Sequence, residues 1–228
     1  MLTKNIRSII KKDGKSLVLW QGESGRATGK SACAAACPTE YNQAKYITRR
    51  LVTDILCEVP LSSFFTISDF KAYYLDGRDQ YYGIMDSASR RPKLGYYAMQ
   101  TMAWLFDGIE LAPDLLIRFH QEEYNKLVST LNFELTVAAF RRKGVPLFCA
   151  YSPELIDLSV PTIIGELYLH TGEEDKLKQP VVIDPIRRNV YSIKHMTLPQ
   201  WDPGSCCIRP MPFVDYPLFV TDYSIFKN

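Results

Sequence analysis

The chain has 228 residues, 46% of them hydrophobic, and a formal net charge of +2 with acidic and basic residues interleaved. That length and apolar content suffice for one large core or two modest ones, and exclude a disordered class. The balanced charge offers no single-sign surface for nucleic acid or an anionic membrane. No apolar run approaches the roughly 20 residues that span a bilayer, and MLTKNIRSIIKK lacks the continuous apolar core of a secretory signal. The expected location is cytoplasmic, with neither nucleic acid nor membrane as partner.

Along the chain, Leu2, Ile6, Ile9 and Ile10 fall at helical spacing, and Lys12-Asp13-Gly14-Lys15 stops that helix before a strand begins at Leu17–Trp20. A glycine-rich loop follows. Thr39 or Glu40 then opens a helix whose Ala44, Ile47, Leu51, Ile55 and Leu56 share a face until Glu58-Val59-Pro60 ends it. LSSFFTIS at 61–68 reads as a second strand, and the tyrosine-rich YYLDGRDQYYGIMD leads to a helix from Pro92 to about Phe106, before Gly108. Strand, helix, strand, helix in this order predicts parallel strands. Beyond Gly108, LLIRFH, LTVAAF, VPLFCAY, IIGELYLH, PVVID, NVYSI and YPLFVTD are short β-type runs. Arg141–Gly144 and Pro185–Asn189 are the hairpin connections, which predicts an antiparallel sandwich or roll. The boundary belongs near Glu110–Pro113.

Six cysteines raise the question of metal or disulfides. Cys33 and Cys37 are four apart, Cys206 and Cys207 are adjacent, Cys57 and Cys149 are isolated, and His120, His170 and His195 stand apart from one another. Zinc spacing is absent, so no metal and no cofactor is expected, and the cysteines read as reduced thiols.

The loop in LVLWQGESGRATGKS admits three chemistries. A phosphate-binding loop needs glycine five residues before Gly29, where Ser24 stands, and Pro38 separates Gly-Lys-Ser from the next helix. A nucleophile elbow needs G-x-S-x-G, and the loop reads Gly22-Glu23-Ser24-Gly25. The third reading places Glu23 at the carboxyl end of a parallel strand, the position where βα barrels present catalytic groups.

LVLWQGESG, the helix QAKYITRRLVTDI, the strand LSSFFTISDF, the loop with YYGIMD and the helix RPKLGYYAMQTMAWLFDG together resemble the last two strand–helix units of a clan A glycoside hydrolase. The resemblance implies residues 1–110 as the carboxyl-terminal portion of a (β/α)8 barrel, a partial barrel of two βα units, followed by an antiparallel β-sandwich at 111–228. It implies Glu23 in WQGESG as the nucleophile of a retaining glycosidase, with carbohydrate as substrate. By the same resemblance Trp20, Phe65, Asp69, Tyr73 and Tyr74 line the sugar subsite. A retaining glycosidase needs a second carboxylic acid about 5–5.5 Å from the nucleophile, and the family's Asn-Glu pair for that role occurs nowhere in the sequence. The expected protein is therefore a glycosidase-like chain, inactive alone, whose acid/base and missing strands come from a second polypeptide. The alternative is a noncatalytic carbohydrate-binding or assembly module. Nucleotide binding through GRATGKS is the weakest alternative.

Overall fold

The computed structural model describes residues 18–29, 39–73, 77, 79–121, 135–153, 163–172, 176–199, 202 and 204–227. The expected first helix, Cys33, Cys37 and the Lys30-Ser31 pair lie outside these residues. The chain divides into two compact units, Met1–Tyr96 and Tyr97–Asn228.

The first unit holds one βαβ arrangement. Strand β1 (Gln21–Ser24) pairs parallel with β2 (Ser62–Phe64), and helix α1 (Glu40–Leu56) connects them. Thr39 caps α1, its hydroxyl accepting from the Asn42 N–H at 3.1 Å, which satisfies an N–H that the first turn would leave unpaired. Ala44, Ile47 and Val52 are fully buried along one face. Arg50 on the same helix reaches both strands. It donates to the Gln21 side chain at 2.6 Å before the strand turns toward its end, and to Asp54, which in turn accepts from the Ser62 hydroxyl at 2.6 Å.

The expected partial (β/α)8 barrel is absent. Among the described residues β1 and β2 pair only with each other, and helix α2 (Leu94–Phe106) leads into an antiparallel sheet instead of a third parallel strand. Strands of four and three residues, paired once, have no further neighbours with which to curve and close. The local strand–helix pattern is correctly parallel, and the barrel inferred from it is not formed.

The second unit contains two antiparallel sheets. The six-stranded sheet has the order β3-β5-β6-β12-β8-β9, from β3 (Ile109–Leu111), β5 (Thr136–Arg142), β6 (Val145–Tyr151), β12 (Leu218–Asp222), β8 (Pro180–Asp184) and β9 (Asn189–Ser192). The four-stranded sheet runs β10-β11-β7-β4, from β10 (Met196–Thr197), β11 (Ser205–Phe213), β7 (Ile163–His170) and β4 (Leu116–Gln121). The β5–β6 hairpin turns at Lys143-Gly144, both with positive φ (49° and 85°), the geometry whose twist matches a two-residue hairpin. At the β8–β9 turn the Asp184 carboxylate accepts the Ile186 and Arg187 N–H groups at 3.0 and 2.9 Å.

Strand β6 is buried at all seven positions, so both faces of the six-stranded sheet are covered there. On one face, Phe140 and Phe219 meet Phe106 of α2 with ring centroids 6.1 Å apart in each pair. Arg142 lies under the same helix at 2% exposure. Its guanidinium stands 4.3 Å from the Trp104 ring centre and donates to the Trp104 and Ile225 carbonyls at 3.0 and 3.1 Å. No helix among the described residues is long and apolar enough to cross a membrane.

Candidate functional site

Glu23 is exposed near the carboxyl end of β1, and its carboxylate has no hydrogen bond or ion pair among the described residues. Its neighbour Ser24 accepts the Phe65 N–H at 2.7 Å, which places the Glu23–Ser24 backbone beside Phe64–Phe65 on the adjoining strand. Gly25 follows because nothing larger fits. A Cβ there would stand 2.1 Å from the Phe65 carbonyl oxygen.

Phe65 anchors a ring cluster. Its centroid lies 6.3 Å from Phe70, 6.4 Å from Tyr73 and 5.9 Å from Tyr82, and Phe70 and Tyr73 are 5.7 Å apart. Phe70 and Tyr73 stay 42% and 53% exposed, so two rings of the cluster remain open to a ligand while Phe65 and Tyr82 support them. The loop carrying them is closed by Asp79, which accepts from the Lys71 ammonium at 2.8 Å and the Ala72 N–H at 3.1 Å. The hydrogen bond from Lys71 holds the Asp79 carboxyl below the usual carboxylate range, and the bond to Asp79 raises the Tyr81 phenol.

Beneath the loop, Asp69 is buried and paired with Lys93. The Lys93 ammonium lies 2.8 Å from Asp69 Oδ1 and 2.9 Å from the Thr28 hydroxyl, and Asp69 also accepts the Gly83 N–H at 2.9 Å. Gln43 of α1 donates to the Arg26, Tyr82 and Gly83 carbonyls at 2.9 to 3.1 Å, fixing the loops that follow both strands.

The five residues expected around Glu23 thus separate. Phe65 and Tyr73 meet in one cluster. Asp69 supports the loop from inside, engaged by Lys93. Trp20 is 63% exposed at the residue before β1, and Tyr74 lies outside the described residues. Phe70 was not singled out from the sequence, although it follows Asp69 directly, and Lys93 was read only as part of the helix RPKLGYYAMQTMAWLFDG, not as the partner of Asp69.

A retaining glycosidase requires two carboxyl groups in different roles. In the first unit, among the described residues, Asp69 faces Lys93, Asp54 faces Arg50, Asp79 faces Lys71, and Glu40 faces Arg91. Asp86 accepts the Ala88 and Ser89 N–H groups at 3.0 and 2.7 Å. Each of these acids has an internal partner and Glu58 is engaged as well, which leaves Glu23, among the described residues of this unit, as a nucleophile or hydrogen-bond acceptor without a free second acid. Among the described residues no three His, Cys, Asp or Glu side chains gather as a metal site. The sequence matches no protein-family model and no curated protein.

Proposed function

We propose that this chain acts on or holds carbohydrate, with Glu23 as the nucleophile of a retaining glycosidase-type site whose acid/base comes from outside the described residues. Two observations in the first unit support the reading: an exposed carboxylate at the end of β1 with no partner among the described residues, and the open rings of Phe70 and Tyr73 around Phe65, whose backbone N–H is bonded to Ser24, the residue after Glu23. Rings of this kind stack on the C–H face of a sugar, and a carboxylate can attack an anomeric carbon or accept a hydroxyl proton.

The nucleophile's part can be tested without the acid. In 2,4-dinitrophenyl 2-deoxy-2-fluoro-glycosides the dinitrophenolate departs without protonation, so the Glu23 carboxylate would displace it and remain as a glycosyl ester. Intact-protein and peptide mass spectrometry with the gluco, galacto and manno probes should find one sugar on the peptide containing Glu23, and none in Glu23→Gln. Ordinary alkyl glycosides, whose leaving groups need an acid, should not turn over. Labelling at another carboxylate, or none with any probe, removes Glu23 from the nucleophile's role.

A further inference from the structure

The outward face of the four-stranded sheet carries a second constellation of polar side chains. Directly paired residues lie on one face of a sheet, and the registers set Leu116 opposite His170 opposite Ser205, Arg118 opposite Tyr168, and His120 opposite Glu166. The alternate positions Leu167, Leu169, Cys206 and Ile208 are buried at 5% exposure or less and form the inward face. A cleft of about 680 Å³ opens over the polar rows, within the range of about 300–1,000 Å³ typical of small-molecule sites.

Its charges are unevenly committed. Glu166 is buried and both of its oxygens are engaged, one by the Arg209 guanidinium and the other by the Tyr168 hydroxyl, at 2.8 and 2.7 Å. Asp202 accepts from the Ser205 hydroxyl at 2.5 Å and lies 3.2 Å from His170 Nδ1. Ser205 and Asp202 meet the same imidazole nitrogen, Ser205 at 2.9 Å. A hydrolytic triad needs them on opposite nitrogens, so this cluster orients His170 and does not make Ser205 a nucleophile. Both carboxylates of the cleft are therefore engaged, Glu166 by the Arg209 cation and Asp202 by hydrogen bonds from Ser205 and His170. Arg118 and His120 are exposed, with no partner among the described residues. Arg118 has His120 two residues along its own strand, roughly 7 Å away, and His170 on the diagonal across the pair, about 7–8 Å away.

We propose that this cleft binds a small anionic group, a carboxylate or a phosphate, on the Arg118 guanidinium, with His120 and His170 as flanking donors. A planar guanidinium matches either anion through two parallel N–H bonds, and Glu166, the carboxylate opposite His120, is already neutralised by Arg209 and does not oppose the ligand's charge as a free one would. A neutral sugar would leave the Arg118 charge unanswered.

Isothermal titration of the full chain uses sodium D-glucuronate, D-glucose as its neutral counterpart, and inorganic phosphate. Saturable binding of glucuronate, phosphate or both that Arg118→Gln weakens, with any heat from glucose left unchanged by Arg118→Gln, is the expected result. Binding of glucuronate alone identifies a carboxylate ligand, and binding of phosphate alone a phosphorylated one. Arg118→Gln should weaken that binding about tenfold or more with an unchanged thermal unfolding curve, since Arg118 is exposed, and Arg118→Lys should restore part of it. A glucose heat that falls in Arg118→Gln as the glucuronate heat does, saturation by neither anion, or an Arg118→Gln affinity equal to that of the unaltered chain overturns the assignment.

Discussion

Replacing Lys93 with methionine keeps the length of the side chain and removes the cation from a carboxylate that has no water to turn to. Asp69 and Lys93 are each 4% exposed at the side chain, 2.8 Å apart, and removing one partner of a buried pair costs about 3–5 kcal/mol because the other charge stays buried. Asp69 keeps the Gly83 N–H at 2.9 Å, and the Thr28 hydroxyl, which received the ammonium at 2.9 Å, still donates to the Tyr81 carbonyl. Those surviving bonds set the expected loss at about 3 kcal/mol, the lower end of that range. The Asp69→Asn/Lys93→Met pair removes both charges and can keep the Gly83 bond, so it should be more stable than Lys93→Met alone, with a coupling of about 1–3 kcal/mol. Urea unfolding with hydrogen exchange read at Gly83 measures all four forms and isolates the first unit from the second. A loss below about 1 kcal/mol in Lys93→Met, or a double variant no more stable than the single changes predict together, would refute the claim that this pair holds the aromatic loop.

Gly25→Ala should displace β1 from β2, because its Cβ would lie 2.1 Å from the Phe65 carbonyl oxygen; loss of Glu23 labelling together with faster exchange at Phe65 is the expected result. Arg142→Met removes a guanidinium that donates to two carbonyls and stacks on Trp104. The two unsatisfied acceptors predict a loss of about 2–4 kcal/mol in chemical denaturation. Glu40 is held below the ordinary glutamate value of 4.5, first by the hydrogen bond from Arg91 and further by the Leu94 N–H. A depressed folded-state pKa contributes stability that is present above about 4.5 and lost as pH falls through the lower folded value. Glu40→Gln removes a partly exposed ion pair, worth about 0.2–1 kcal/mol at pH 7, and should flatten the decline in stability below pH 4.5.

Signals confined to a few neighbouring residues were the ones the sequence carried openly. Thr39 starts α1 because its hydroxyl caps an N–H three residues on, and Lys143-Gly144 turns β5 into β6 because both adopt positive φ. The β-type runs after Gly108 became antiparallel strands for the same local reason, a turn residue set between apolar runs. Whether a βαβ unit goes on to close a barrel depends on partners outside the unit, and no periodicity within β1, α1 and β2 records their number. The site shows the same limit. Lys93 joins Asp69 across 24 residues and Thr28 across 65, so a lysine read as part of a helix start is a buried counter-ion. Arg50, a polar helix residue with no local mark of such a role, ties α1 to both strands through Gln21, Asp54 and Ser62.

One rule of charge compensation leads to opposite chemistry in the two units. In the first, Lys93, Arg50, Lys71 and Arg91 each engage a carboxylate, and among the described residues the carboxylate left without a partner is Glu23, in the unit that also carries the exposed rings of Phe70 and Tyr73. Such a surface favours a neutral ligand rich in C–H and hydroxyl groups, since an anion would meet the Glu23 charge. In the four-stranded sheet Arg209 and His170 engage the carboxylates, and among the described residues the charge left without a partner is Arg118. A neutral ligand gains little there, whereas a carboxylate or phosphate gains a charge-assisted pair. The two sites should therefore select different chemical groups, and a saccharide carrying a carboxylate should retain its heat of binding in Glu23→Gln while losing it in Arg118→Gln. Loss of that heat in Glu23→Gln alone would place the anion at β1 and contradict the compensation argument at both sites.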